Sequence, residues 1–152
     1  MPKKRARVFF DASVLVAAAH SLTGGSALVL EVCGGKTYRA VASRRVLLEA
    51  YSNIRKKFGS EEVLRFYRGL AALEPEIVEK VSREEERRYE PVIGPRDAHV
   101  LAGAAKSRCE YLLTLDKKHF LTNKVLSADL AFQILTPGQF LEQVARAPGN
   151  AL

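Results

Sequence analysis

The sequence has 152 residues, and its 47% apolar and 27% charged residues are typical of one globular domain spanning residues 1–152. No run of about eighteen apolar residues without charges occurs, which excludes a membrane-spanning helix. The formal charge of +7 favours a polyanionic partner, because basic side chains bind phosphates and release counterions.

The chain ends and the cysteines indicate where such a protein resides. Residues 1–5 form a basic arm that leads directly into an apolar strand, so we expect no signal peptide and a cytoplasmic location. We expect this arm and residues 147–152 to be loose. Cys33 and Cys109 have neither the CxxC spacing of a metal site nor the density of a disulfide scaffold. They are predicted to be reduced, structural thiols.

Short apolar runs alternate with helical patterns along the chain, which predicts an α/β fold with a central parallel sheet and helices on both faces, in three layers. Helix starts are indicated by capping residues, and helix ends by glycines. In chain order the predicted elements are strand 7–10, helix 12–20, a helix capped by Ser26, strand 38–41, a long helix capped by Ser43, a helix from Ser60, strands 77–78 and 92–93, helix 96–107, strand 111–115, strand 132–135 and a helix from Pro137.

Four acids are expected to meet at the carboxyl edge of this sheet. Asp11 directly follows the first strand, and Asp116 directly follows the strand 111–115. Helices that connect parallel strands begin at the same edge, so Asp97 in a first turn and Glu49 in a second turn also face it. The topology therefore gathers residues that are far apart in sequence.

A cluster of carboxylates favours a bound divalent cation, because the cation removes their mutual repulsion. Oxygen ligands without accompanying histidine or cysteine ligands indicate Mg²⁺ or Mn²⁺ rather than zinc. In a basic protein this arrangement suits phosphodiester cleavage, with the metal activating water and Lys and Arg holding phosphates.

Each acid also has a simpler interpretation. Asp11 and Asp97 fit helix N-cap or first-turn positions, where negative charge is favourable. Glu49 can pair with Arg45 on the helix surface, and Asp116 can serve as a turn residue. The gathering of all four at one edge favours the shared site.

The sequence resembles the PIN-domain ribonucleases over nearly the whole chain. The resemblance is carried, in order, by VFFDASVL, VLLEAYSNIRKKFG, PRDAHVLAGAAKS and YLLTLDKKHF. It implies a PIN-like fold and metal-dependent RNA cleavage at four acids. By the same resemblance, Asp11 and Asp97 are the principal metal ligands, and Glu49 and Asp116 bind the metal directly or through water. Ala12 departs from the family pattern, where a hydroxyl residue is common.

Weaker candidates accompany the four acids. By position in the family motifs, Ser13 and Thr114 supply hydroxyl groups near the first and last acid. Arg96 and Lys117 adjoin two acids and are candidates for phosphate contacts, although solvated positions fit them equally well. The three histidines are left outside the site, because this chemistry does not need them. Tyr51 or Tyr89 can stack on a base, but packing is the simpler interpretation of both.

The main hypothesis is therefore a ribonuclease that uses Mg²⁺ or Mn²⁺. Many members of the family are toxins, so the resemblance also implies RNA as substrate, an antitoxin protein as partner and a homodimer, although RNA processing without a partner fits equally well. The alternatives are a noncatalytic RNA-binding or interaction module that retains the fold, and a phosphatase with Asp11 as nucleophile. The phosphatase usually needs a second Asp where Ser13 stands.

Overall fold

A computed structural model describes residues 4–147, so the predicted looseness of residues 1–3 and 148–152 lies outside the described part of the chain. The strands are β1 Ala6–Phe10, β2 Tyr38–Ser43, β3 Glu76–Val78, β4 Tyr111–Leu113 and β5 Gln133–Leu135. The helices are α1 Ala12–His20, α2 Gly25–Cys33, α3 Arg44–Lys57, α4 Ser60–Leu73, α5 Arg83–Arg87, α6 Glu90–Ile93, α7 Ala98–Lys106, α8 Lys117–Phe120, α9 Asn123–Leu126 and α10 Pro137–Arg146.

The five strands form one parallel sheet in the order β3-β2-β1-β4-β5. β1 lies at the centre, where Phe9 pairs with Val41 of β2 and with Leu112 of β4. All three side chains are fully buried, as expected for a sheet covered on both faces. β2 and β3 are added on one side of β1, whereas β4 and β5 are added on its other side. This change of side between β1 and β4 opens a crevice at their carboxyl ends.

The helices pack in two groups on this sheet. Helices α1 to α4 contact one another, whereas α5 and α6 contact α7, which gives the three-layer α/β arrangement predicted from the sequence. Ser43 begins α3 as predicted, because its hydroxyl accepts a hydrogen bond from the N–H of Val46 at 3.1 Å. Val46, Ala50 and Ile54 form the fully buried face of this helix.

Helix α7 lies unusually close to the sheet. Its small residues Ala98, Ala102 and Ala104 are buried, and a Cβ added at Gly103 would stand 3.0 Å from the Cζ atom of Phe9 in β1. Only glycine therefore fits here without displacing the aromatic ring. The close contact fixes the height of α7 above the sheet, and with it the position of the residue at its start.

Four sequence predictions of local structure were wrong. Val92 and Ile93 lie in the helical turn α6 and not in a strand, because Pro91 fits a first helical turn and both N–H groups bind the carbonyl of Tyr89 at 3.0 Å. Ser26 does not cap α2, which has Gly24 at its N-cap. β4 ends two residues earlier than predicted, and α7 begins at Ala98 rather than residue 96.

Within residues 4–147, no single helix is long and apolar enough to cross a membrane. Only α1 and α2 taken together have the length and composition of a membrane span, and they are bent by 110° at the break between them. Both helices contribute to the hydrophobic core. Cys33 and Cys109 are free and buried in that core, as predicted. Burial raises the pKa of Cys33 to about 12 and that of Cys109 to about 11, so both thiols are unreactive at neutral pH.

Candidate functional site

The four acids predicted for the site line one pocket at the carboxyl edge of the sheet. Asp11 directly follows β1, while Asp97 and Asp116 immediately precede α7 and α8. Glu49 lies in the second turn of α3. The pocket has a volume of about 320 Å³. A larger cavity of about 550 Å³, between α1, α2 and α4, has none of these acids in its lining.

Two hydroxyl groups hold the buried carboxylate of Asp11. Ser13 Oγ donates to Asp11 Oδ2 at 2.8 Å, and Thr114 Oγ1 donates to the same oxygen at 2.7 Å. The backbone N–H groups of Leu115 and Asp116 in turn donate to Ser13 Oγ and Thr114 Oγ1, both at 3.0 Å. β4 ends early because these N–H groups bind side chains instead of a neighbouring strand. Asp11 occupies the N-cap position of α1 but makes no side-chain cap hydrogen bond.

Asp97, Asp116 and His119 form a group of potential metal ligands, with one ligand atom from each lying within 4.8 Å of the other two. His119 Nδ1 is 2.8 Å from Asp116 Oδ2, and the backbone N–H of His119 donates to Asp116 Oδ1 at 3.2 Å. Asp116 thus also caps α8, whereas its simpler interpretation was a turn residue. Asp97 makes no side-chain cap hydrogen bond to α7. From the sequence alone, His119 was expected to lie outside the site. The available signal was its position three residues after Asp116.

Glu49 stands at the opening of the pocket and is the most exposed of the four acids. Its expected alternative partner, Arg45, instead pairs with Glu86, with 2.9 Å between Arg45 Nη1 and Glu86 Oε1. Arg45 therefore pairs with α5 rather than with Glu49, although its charge, like that of Arg96, still opposes the rise in the pKa of Glu49.

The electrostatics of the pocket favour a bound cation. Burial raises the pKa of Asp11, and the charge of Asp97 adds to this effect, while the hydrogen bonds from Thr114 and Ser13 oppose it. Desolvation also raises the pKa of Glu49, followed by the charges of Asp11 and Asp97. The pKa of Asp97 is raised by burial and by Asp116, against the opposing charges of Arg96 and His119. These groups keep one another from ionising freely, a cost that a divalent cation relieves.

The remaining candidates are distributed unevenly. Arg96 lines the pocket with its side chain 78% exposed, and its Nε lies 3.9 Å from Asp97 Oδ1. Lys117 is exposed and does not line the pocket. The wall contributed by α3 and the end of α1 holds residues that the sequence analysis did not assign to the site: His20, Asn53, Lys57 and Phe58.

Comparison with known proteins places this geometry in a family. The family model described as PIN domain matches residues 7–118. The fold is similar to VapBC2 from Rickettsia felis bound to a DNA fragment from its promoter, with a TM-score of 0.61, 16% identity, and coverage of 86% of this chain and 98% of that one. It is also similar to VapC20 from Mycobacterium tuberculosis, a Sarcin-Ricin loop cleaving toxin, with a TM-score of 0.57, 15% identity, and coverage of 76% and 95%. A search of curated protein sequences finds no significant match. The family match spans most of the chain and agrees with the resemblance in its motifs: this chain belongs to the PIN-domain family.

Proposed function

We propose that this PIN domain is a metal-dependent endoribonuclease that hydrolyses RNA phosphodiester bonds and acts as the toxin of a toxin–antitoxin pair. The observation that carries the proposal is the convergence of Asp11, Glu49, Asp97 and Asp116 in one pocket at the crevice between β1 and β4. The similarity to the RNA-cleaving toxin VapC20 and to the VapBC2 complex supports the same reaction and an antitoxin partner.

The side chains present fit a divalent cation. Asp97, Asp116 and His119 offer ligand atoms within 4.8 Å of one another, and Asp11 and Glu49 add carboxylates to the same pocket. Carboxylates are the donors that Mg²⁺ and Mn²⁺ prefer, and an imidazole donor is more typical of transition metals. When bound, the cation supplies positive charge to the phosphate and makes water a stronger acid.

The residues of the chain itself have separable tasks in this proposal. Ser13 and Thr114 fix the carboxylate of Asp11, so that it does not reorganise when substrate arrives. Glu49 accepts the proton that an attacking water loses, a role that its raised pKa favours, while Asp97 serves as a ligand for the cation. Arg96 is exposed at the rim and attracts the phosphate backbone, and we assign Lys117 an outer contact at most.

The partners follow from the same proposal. The +7 charge favours RNA as the substrate, and we propose an antitoxin that covers the site and a homodimeric assembly in the cytoplasm. A purified chain alone is then expected to be active, whereas coexpression with its antitoxin should suppress cleavage.

Incubation of purified protein with a structured RNA tests the reaction. We expect endonucleolytic cleavage in Mg²⁺ or Mn²⁺, none in chelator, and none with Asp11→Asn in either metal. Asp129→Asn, at an exposed loop position outside the pocket, is the matched control and should cleave like the wild type. RNA binding without cleavage by the wild type in both metals would favour the noncatalytic alternative instead.

A further inference from the structure

The wall of the pocket facing the acids is aromatic and basic. The rings of His20 and Phe58 stack with their centroids 4.5 Å apart and their planes inclined by 19°. Both residues line the acid pocket, together with Lys57 at the end of α3. His20 and Lys57 are exposed, so a flat ring and a positive charge remain open to a ligand in the pocket.

A second pocket of about 390 Å³ adjoins the first at Phe58, which lines both. Tyr51 and Arg55 form its wall on α3. The Arg55 guanidinium lies 5.8 Å from the centroid of the Tyr51 ring, and its Nη1 donates to Tyr51 Oη at 3.2 Å. The Tyr51 ring is 5.9 Å from that of Tyr67, which is 52% exposed.

These residues form a continuous surface that starts at the acids. We propose that this basic-aromatic strip, consisting of His20, Tyr51, Arg55, Lys57 and Phe58, binds the single-stranded RNA segment next to the cleaved bond. Bases stack on the His20 and Tyr51 rings, while Lys57 and Arg55 bind the phosphates between them. The inference rests on the proposed function, since it names how that site holds its substrate.

Charge and continuity favour RNA as the occupant. Basic residues 55–57 follow one another at the end of α3, and the acids nearest along the chain are already engaged. Glu61 pairs with Arg65 at 2.9 Å, and Glu62 accepts a hydrogen bond from the N–H of Gly59 at 3.2 Å. A surface of aromatic rings alternating with cations is the usual form of a single-strand binding path.

Exposed leucines near the strip give the competing occupant, a second copy of this chain. Leu48 on α3 is 59% exposed and Leu64 on α4 is 47% exposed. The test therefore measures both RNA stacking and molecular mass.

Stacking can be followed with a short single-stranded RNA that carries 2-aminopurine, in chelator so that no cleavage occurs. The wild type should quench the fluorescence of the probe. Tyr51→Leu should remove the part of the quenching due to that ring and weaken binding by roughly 5- to 150-fold, the range for loss of one base–aromatic stack. Tyr51→Phe keeps the ring and should retain both the quenching and the affinity of the wild type.

The phosphate contacts are tested by the salt dependence of the same binding. Lys57→Gln and Arg55→Gln should each reduce the slope of log affinity against log salt by about 0.7, the value for one phosphate contact on a single strand. Lys36→Gln removes the same charge from an exposed position before β2, at the opposite edge of the sheet, and should leave quenching unchanged.

Three outcomes would overturn the inference. The first is that Tyr51→Leu quenches the probe as strongly as the wild type does. The second is that Lys57→Gln and Lys36→Gln give equal slopes of log affinity against log salt. The third is that Tyr51→Leu changes the molecular mass measured by sedimentation. The proposed function fails separately, if the wild type stacks the probe in chelator but does not cleave RNA in Mn²⁺ or Mg²⁺. Cleavage by the wild type together with unaltered binding by Tyr51→Leu would remove only the strip.

Discussion

Replacement of Asp97 by asparagine should stabilise the metal-free protein while abolishing its response to metal. The side chain is only 14% exposed, and burial and the charge of Asp116 both raise its pKa. A raised pKa means that the folded state disfavours the charged carboxylate. The contribution of Asp97 to stability is complete below the pKa that it has in the unfolded state, and it is lost as pH rises through the pKa that it has in the folded state. The wild type therefore carries a penalty at pH 7 that asparagine removes.

The size of this gain follows from the geometry. One carboxylate oxygen of Asp97 lies within 4.8 Å of one of Asp116. At that separation two unit charges repel by about 3 kcal/mol at an effective dielectric constant of about 20, and by about 1 kcal/mol in bulk water. The charges of Arg96 and His119 oppose this repulsion, so burial of the carboxylate is the main source of the penalty and only part of the repulsion remains. Asparagine also loses the helix-dipole interaction, about 0.3–1 kcal/mol. The net gain is about 1 kcal/mol, or a rise in Tm of about 2–4 °C.

Thermal melts of the wild type, Asp97→Asn and Asp129→Asn, each in chelator and in Mn²⁺, measure both effects. At a concentration of one hundred times its Kd, Mn²⁺ should stabilise the wild type by about 2.7 kcal/mol and Asp97→Asn by much less. Asp129→Asn should behave like the wild type throughout, and the apo difference should vanish below about pH 4. A destabilised apo Asp97→Asn with a full Mn²⁺ shift would refute the shared site.

Three further results are expected. RNA products should carry 5′-phosphates, because water attacks and the 3′ oxygen leaves, so cyclic phosphates seen by end-labelling and mass spectrometry would contradict the mechanism. Thr114→Val removes the hydroxyl that donates to Asp11, which should raise the pKa of Asp11 further and weaken Mn²⁺ binding by roughly 10- to 100-fold in calorimetry; unchanged affinity would show that this hydrogen bond is dispensable. Burial lowers the pKa of His99 from its usual value of 6.5 to about 4, so its stabilising contribution is present above pH 6.5 and is lost as pH falls toward 4. The stability difference between wild type and His99→Leu should change by about 2 kcal/mol between pH 7 and pH 5 in denaturant titrations, and parallel pH profiles would count against a neutral buried imidazole.

The fold could be predicted where the sequence pattern had length and capping residues to support it. β1 and α3 are such elements, since a buried run and the Ser43 cap mark them. Val92 and Ile93 were mistaken for a strand because two apolar residues fit the periodicity of a strand as well as that of a helix. The position of Pro91 favours a helical turn.

The site could be predicted as far as the topology determines it. Asp11 and Asp97 were placed at one edge because parallel strands and their connecting helices share it. The hydroxyl network at Asp11 was implied only by family position, since it depends on side-chain rotamers across 103 residues of sequence separation. His119 and Lys57 lie within the motifs that carry the family resemblance, but they were not assigned to the site because only the folded chain brings them to the pocket that holds the acids.

The close packing of Gly103 against Phe9 makes steric size a determinant of the reaction geometry. Asp97 lies six residues before Gly103, or about 9 Å along α7, so a shift of a few tenths of an ångström at the contact is transmitted to the carboxylate. Sites of this kind tolerate displacements of about 0.5 Å. A side chain larger than that of alanine at position 103 needs a displacement greater than this and should therefore slow cleavage without touching any ligand, and a smaller side chain at position 9 should restore it. The volumes of the side chains at positions 9 and 103 must therefore change together if Asp97 is to stay in place.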